Sequence, residues 1–339
     1  MSTTQEHLVM ANQPLKAALI GCGGLGTRHA RNVSSLDNVD LVAVCDAYPE
    51  SARKLAADLP GNPIPFDDHQ KMLAEQSLDA VLVVTPNHVH SPVTVDAAQS
   101  GAHVFCEKPM ALTVEECDAM IEAAEQSGVF LQIGYVRRFQ NAYREMKRLI
   151  DAGKIGDIGM AHTIRLGTGP PGGSEGWQLS KNTYGGLFSM HSHELDQLTL
   201  MAGEVDAVTA VMKYGDDPDN TVEESIFINL EFASGAIGSL SSSRIYPAGS
   251  YELGVAGTDG ALKITSGSGT QLTFQRKGEK PEHLEFERNN ALLEEIIHFF
   301  DSIWKGTPPS CTGHDGRRTI AISLAAHEAA RTGTRSEIR

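Results

Sequence analysis

The stretch Leu15-Lys16-Ala17-Ala18-Leu19-Ile20-Gly21-Cys22-Gly23-Gly24-Leu25-Gly26 decides how the first part of this chain folds. An apolar run leads into G-x-G-x-x-G and a helix-like segment follows, which is the setting in which the glycine pattern carries meaning. Gly21 allows the tight turn, Gly23 lets the backbone approach a pyrophosphate, and Gly26 lets helix and strand pack closely. Cys22, Gly24 and Leu25 complete the turn. The helix that opens here faces the phosphates with N–H groups and the positive end of its dipole.

Working outward, Leu41-Val42-Ala43-Val44-Cys45 reads as a buried second strand ending in Asp46. That carboxylate stands twenty positions after Gly26 (26 to 46), the usual distance for an acceptor of the adenosine ribose hydroxyls. It disfavours a 2′-phosphate, and Ala47-Tyr48-Pro49-Glu50 offers no Arg or Lys to neutralise one, so NAD is favoured over NADP. The bland alternative for Asp46 is a helix cap at a strand-helix turn.

Further strands are expected at 15–20, 40–45, 79–84, 103–106 and 130–134, with a weaker one near Ile64-Pro65-Phe66, alternating with helix-length segments. Such alternation indicates a doubly wound parallel sheet. Thr113-Val114-Glu115-Glu116 is a capping box, and its helix stops at Gly128. Beyond residue 150 the pattern changes to period-two alternation, with strands expected near 158–166, 204–214, 223–232, 235–245, 251–257, 260–265 and 271–276. Two amphipathic helices close the chain: Asn289 to Lys305, with Leu293, Ile296, Ile297, Phe300 and Trp304 on one stripe, and Gly316 to about Ala330. The fold class is therefore α/β: an N-terminal Rossmann sheet plus a C-terminal α+β domain with an open, mainly antiparallel sheet. We divide the chain into a tail (1–14), a dinucleotide-binding domain (15–137) and a substrate-binding and oligomerisation domain (138–339).

The 339 residues exceed what one core usually supports, in line with two domains. A formal charge of −15 argues against nucleic acid or an anionic membrane surface as partner. The five cysteines contain no C-x-x-C pair, and their odd number suits a reducing compartment, so we expect a cytoplasmic protein. No apolar run approaches the ~20 residues of a spanning helix. Met1 to Pro14 is polar and reads as a mobile tail rather than a signal peptide. The glycine-rich stretch Gly167 to Gly176 is the best candidate for a mobile loop at a site.

In an open α/β sheet, ligands bind beyond the carboxyl ends of the strands. Two such ends carry polar clusters: Thr85-Pro86-Asn87-His88-Val89-His90 and Glu107-Lys108-Pro109. A residue before proline is pushed into the extended region, so Lys108 should continue its strand's direction and aim at the cleft. There its ammonium could stabilise alkoxide character as a hydride leaves. The bland alternative is a solvated surface lysine.

The ordered set Gly21-x-Gly23-x-x-Gly26, Asp46, Thr85-Pro86-Asn87-x-x-His90, Glu107-Lys108-Pro109, Gly134-Tyr135-Val136-Arg137-Arg138-Phe139 and Gly185-Gly186…His193-x-x-Asp196 resembles the glucose-fructose oxidoreductase/inositol dehydrogenase (Gfo/Idh/MocA) family over nearly the whole chain. The resemblance implies a Rossmann domain followed by an α+β domain whose open sheet forms homodimer or homotetramer contacts. It also implies nicotinamide-dependent oxidation or reduction of a secondary hydroxyl or ketone on a sugar, cyclitol or related polyol. By it, Lys108 is the catalytic lysine, His193 transfers the proton, and Asn87, His90 and Glu107, with Thr85 and Pro86, line the cofactor side. Tyr135, Ser189 and Asp196 fall to the substrate side.

Phe188 to Met201 has helical spacing, so Ser189, His193 and Asp196 lie on or near one face. Relatives of that family commonly carry an aspartate where this chain has Ser189, four positions before the histidine. Ser189 then bonds substrate or Lys108, or His191 takes part, or the substrate differs from inositol. Arg137 and Arg138 reach toward substrate or cofactor, although adjacent side chains diverge. Trp177 either stacks on a sugar ring or anchors the core. The pairs His88/His90 and His191/His193 raise a metal site, but residues two apart on a helix diverge and no cysteine pair or carboxylate cluster completes a shell, so none is expected. A non-catalytic sensor of NAD or sugar on the same scaffold is the alternative to an enzyme.

Overall fold

The computed structural model describes residues 14–169, 176–216 and 219–338. The expected tail at 1–14, apart from Pro14, and most of the glycine-rich loop at 167–176 lie outside them. The chain forms two compact units: residues 1–134 with 292–316, and residues 135–291 with 317–339.

The first unit is built on six parallel strands: β1 (Leu15–Ile20), β2 (Val39–Cys45), β3 (Ile64–Phe66), β4 (Ala80–Val83), β5 (His103–Cys106) and β6 (Leu131–Ile133). Their spatial order is β3-β2-β1-β4-β5-β6. Strands β1, β4 and β5 are almost wholly buried because helices cover both faces of such a sheet. The intervening helices are α1 (Gly24–Val33), α2 (Pro49–Asp58), α3 (His69–Glu75), α4 (His90–Gln99) and α5 (Val114–Ser127). The capping box of α5 forms as expected, and Gly128 ends the helix in the left-handed conformation.

The second unit contains α6 (Asn141–Asp151), β7 (Ile158–Thr168), α7 (Lys181–Tyr184) and α8 (Leu187–Ala202), followed by β8 (Val205–Tyr214), β9 (Glu223–Phe232), β10 (Ile237–Ser243), β11 (Ile245–Gly257), β12 (Gly260–Ile264), β13 (Gln271–Arg276) and β14 (Glu282–Glu285). The chain then gives α9 (Ala291–Lys305), α10 (Gly313–Thr332) and β15 (Ser336–Glu337). Nine strands pair in the order β14-β13-β12-β11-β7-β10-β9-β8-β15, antiparallel except for β10 on β7. On β9, Ile226, Ile228, Leu230 and Phe232 face the core while Phe227, Asn229 and Glu231 are exposed, the alternation of a sheet with one covered face.

Three expectations change. Strand β11 begins at Ile245 instead of 251, because pairing with β7 resumes across Pro247 and Gly249 through a register shift between Ile245 and Ser250. The edge strands β14 and β15 are too charged and short to show in the pattern. On α9 the buried face runs through Ala291, Glu295, Ile296, Phe299, Phe300 and Ser302, whereas Ile297, expected inside, is 38% exposed. This helix joins the core of the first unit through Ile296, Phe299 and Phe300.

Candidate functional site

At the carboxyl end of β1 the four glycines divide into two kinds. Gly21 has φ +102, and a Cβ there would stand 2.3 Å from the Val84 carbonyl oxygen; one on Gly26 would stand 1.9 Å from the Gly21 oxygen. These two are required by the protein's own packing. Gly23 and Gly24 have nothing within 4 Å of such a Cβ. The room they leave lies at the start of α1, where Gly23 provides no side-chain cap and the first turn holds no acid. An uncapped, acid-free helix N-terminus with open space over its first residues suits a pyrophosphate. Leu25 is exposed, while the Cys22 thiol is pushed up to about 12, first by burial and then by Asp46 and Cys45, and is inert at neutral pH.

Asp46 has a second duty. Its Oδ2 accepts the Cys22 N–H at 2.7 Å and its Oδ1 the Tyr48 N–H at 2.9 Å, tying the glycine turn to the end of β2. Each carboxylate oxygen keeps a lone pair, so ribose hydroxyls can still donate to it. Tyr48 beside it is 76% exposed, and no basic residue stands at 47–50. The residues present fit NAD.

Beyond β4 and β5 the expected side chains are less uniform. Thr85 and Pro86 are half-buried and Asn87 is buried at the start of a short turn. His90 is not presented to a cofactor: it is buried, with Nδ1 2.8 Å from the Pro109 carbonyl and Nε2 2.8 Å from that of Thr85. It braces the two strand-end loops against each other. Burial pushes its pKa down, against the pull of the two carbonyls. Glu107 also turns inward: its N–H continues the pairing to Val83, and its Oε1 lies 2.7 Å from His29 Nε2. Its Oε2 accepts the Lys108 N–H at 3.1 Å. Lys108, half-buried just past the end of β5, is thus held at its main chain by the preceding side chain. The Lys108–Pro109 peptide is cis.

In the second unit, α8 carries His193 on a floor of buried ion pairs. Glu194 receives Arg137 at 2.8 Å and Arg165 at 3.0 Å, with His191 Nδ1 at 3.4 Å. Burial pushes the Glu194 carboxyl up, but Arg137, the His191 hydrogen bond and Arg165 hold it well below the usual range. His191, lowered by burial, places Nε2 2.5 Å from Ser242 Oγ. Asp196 takes the Arg138 Nε on both oxygens at 3.0 Å. His193 itself is half-buried, its ring edge-on to Tyr135 at 6.0 Å between centroids.

The side chains expected on the substrate side are engaged within the protein. Tyr135 is fully buried with its hydroxyl 2.5 Å from Thr319 Oγ1. Arg137 is spent on Glu194 and the Tyr251 hydroxyl, Asp196 on Arg138, and the Ser189 hydroxyl donates to the Tyr184 carbonyl. Trp177 packs edge-on against Tyr184 at 5.6 Å, as a core anchor would. Tyr135, Arg137, Ser189 and Asp196 are thus buried, while Trp177 is half-buried.

The sequence reading missed Arg165, Glu194, His29 and Glu295. Arg165 follows Ala161 and Thr163 on the inward positions of β7, so period two puts a charge on the core face and calls for a buried acid. His29 shares the buried face of α1 with Gly26, Ala30 and Val33, three positions after the last fingerprint glycine. Glu295 was hidden by the misplaced stripe of α9.

Residues 15–135 match an oxidoreductase family with an NAD-binding Rossmann fold, and residues 147–338 match the C-terminal alpha/beta domain of the same family. The chain is 31% identical to the scyllo-inositol 2-dehydrogenase (NAD(+)) of Bacillus subtilis (strain 168), covering 94% of this chain and 95% of that one. It is 30% identical to the myo-inositol 2-dehydrogenase of Thermotoga maritima, covering 92% and 95%. Among solved structures, the aldose-aldose oxidoreductase of Caulobacter crescentus, complexed with glycerol, superposes with a TM-score of 0.85 at 29% identity, over 96% of this chain and 100% of that one. With both of its domains matched in order, the chain belongs to the Gfo/Idh/MocA oxidoreductase family and is an NAD-binding enzyme.

Proposed function

We propose that the enzyme oxidises a secondary hydroxyl of a sugar, amino sugar or cyclitol to a ketone, or catalyses the reverse. Oxidation removes a hydride from carbon and a proton from oxygen. NAD, when bound, supplies the hydride acceptor. Lys108 donates to the substrate oxygen and stabilises its negative charge as it develops. His193 takes the hydroxyl proton and, in the reverse direction, returns it. The observation that carries this reading is the hold of Glu107 on the Lys108 main chain, which fixes the base of an ammonium at a strand end of an NAD-binding sheet. The inositol dehydrogenases among the relatives support a polyol substrate.

With Ser189 engaged by Tyr184 and Asp196 by Arg138, proton transfer rests on His193 without a neighbouring carboxylate at position 189. The outer face of the second sheet supports a homodimer or homotetramer: Val211 pairs across to Phe227, and Ile237 to Met160, all exposed and apolar. Five free, buried cysteines support a reducing compartment such as the cytoplasm. Among the described residues, no helix is long and apolar enough to cross a membrane. The test is an absorbance screen of NAD and NADP reduction against sugars, amino sugars and cyclitols. Reduction of NAD by a polyol is expected, and no turnover with any secondary alcohol would overturn the reading.

A further inference from the structure

Within the first unit lies a buried cluster of ionisable groups of which the proposed chemistry uses only Glu107, through its hold on the Lys108 main chain. His29 comes from the buried face of α1, Glu107 from the end of β5 and Glu295 from α9. One oxygen or nitrogen of each lies within 4.8 Å of the other two, and all three residues are buried. Glu107 is satisfied, with His29 Nε2 at 2.7 Å on one oxygen and the Lys108 N–H at 3.1 Å on the other. Glu295 is not. It is fully buried, and among the described residues neither carboxyl oxygen has a hydrogen-bond partner. Its main chain is fixed, because Gln132 of β6 donates Nε2 to the Glu295 carbonyl at 3.0 Å.

A carboxyl group so placed must be neutralised, and the geometry selects the occupant. A metal ion needs its ligands about 2.0–2.2 Å away, which at a tetrahedral angle keeps them roughly 3.4 Å apart. His29 and Glu107 stand 2.7 Å apart and already share a hydrogen bond. Two charged carboxylates in one dry cluster would leave the second uncompensated, which interiors do not tolerate. A proton on Glu295 removes the charge and needs no entry path for an ion. Burial raises the Glu295 carboxyl well above its ordinary range and the Glu107 charge raises it further. Burial also raises Glu107, but the His29 hydrogen bond and charge, with Lys108, hold it below the usual value. Among the described residues, the ionisable groups of this cluster that face Glu295 are His29 and Glu107.

We propose that Glu295 is a positioning residue for Lys108: a proton-bearing carboxyl that closes the buried end of the His29–Glu107 pair, so that Glu107 keeps a single charge, one orientation and its hold on the Lys108 main chain. The inference rests on the reading of Lys108 as the group that meets the substrate oxygen. A second anion in the cluster would compete for His29 and draw the Lys108 ammonium inward. An apolar residue would leave Glu107 free to turn into the vacated space and release the Lys108 amide.

The test uses the full chain with three substitutions: Glu295→Gln, Glu295→Leu and, as a control, Lys108→Met. Infrared spectra of the wild type at neutral pH should show the carbonyl band of a neutral, weakly hydrogen-bonded carboxylic acid. The band should be absent in Glu295→Gln and retained in Lys108→Met. Glu295→Gln, a neutral isostere, should keep near wild-type turnover. Glu295→Leu should keep its melting temperature while turnover falls about ten- to a hundredfold with little change in NAD affinity, the size expected of a displaced reacting group. A purely structural role would lower stability and spare turnover in the molecules that fold. If the leucine variant does not fold, the infrared band and the stability of Glu295→Gln decide. That variant should gain on the wild type as pH rises, because only the wild type must keep a buried acid protonated. Absence of the band, wild-type turnover in Glu295→Leu, or equal losses in the glutamine and leucine variants would overturn the proposal. Full activity in Lys108→Met with the band intact would instead overturn the reading of Lys108.

Discussion

Two buried glutamates, one in each unit, meet opposite fates. Glu194 sits among Arg137, Arg165 and His191 and is held well below the usual carboxylate range despite its burial. Glu295 sits beside Glu107 with no hydrogen-bond partner among the described residues on either oxygen and is raised well above that range. Burial pushes both in the same direction, so the difference comes from the neighbours: cations outweigh desolvation in one place, and a second carboxylate adds to it in the other. The second unit uses charge to fix a helix under His193. The first unit uses a withheld charge to keep Glu107 at its post beside Lys108.

The largest effect expected from breaking this contrast is Glu194→Gln, which leaves Arg137 buried and uncompensated and should cost about 3–5 kcal/mol in denaturant titrations. The pH dependence has a definite sign. A lowered carboxyl contributes stability at neutral pH that is lost as pH falls through its folded-state pKa, so the wild type loses this contribution in acid and the variant has none to lose. For Glu295 the sign reverses, since a raised carboxyl contributes most in acid and loses it as pH rises. Glutamine at 194 and glutamine at 295 should therefore shift stability at neutral pH in opposite directions. A shift in the same direction would remove the comparison.

Next in size is Lys108→Met, which should lower turnover by at least ~10²-fold, comparable to losing an oxyanion donor, while NAD binding persists in a fluorescence titration. Near-normal turnover would return Lys108 to the solvated surface. Smaller still is Asp46→Ser with Ala47→Arg. Cofactor preference should move toward NADP as the 2′-phosphate loses a like charge and gains a partner. Overall affinity should weaken too, because the Cys22 N–H loses its acceptor.

The first sheet was legible because its information is local. The strands expected at 15–20, 103–106 and 64–66 are β1, β5 and β3 residue for residue, each an apolar run bounded by turn residues. The glycine turn was legible for the same reason, since its geometry is a backbone property that glycine alone permits. The second unit's polar side chains were not legible. Motif position assigns Tyr135, Arg137 and Asp196 to a site but says nothing about which partners they find, such as Thr319 and Glu194 on helices distant in sequence or, for Asp196, the motif's own Arg138. Glu295 was missed for a third reason. The apolar stripe of α9 was drawn through Ile297, and a shift of the true face by about one position turns a surface glutamate into a core one.

The proposed function assigns the exchangeable proton to His193 and the charge on the substrate oxygen to Lys108. The pH dependence of the oxidative rate in the wild type and in His193→Asn tests it most directly. A neutral imidazole is needed to take the alcohol proton, so the wild-type rate should fall toward acid as the ring is protonated. Asparagine at similar size should abolish most of the activity together with that acid limb, while circular dichroism and NAD binding stay unchanged. A His193→Asn enzyme that keeps its rate and the same acid limb would contradict the account and place the proton on another group.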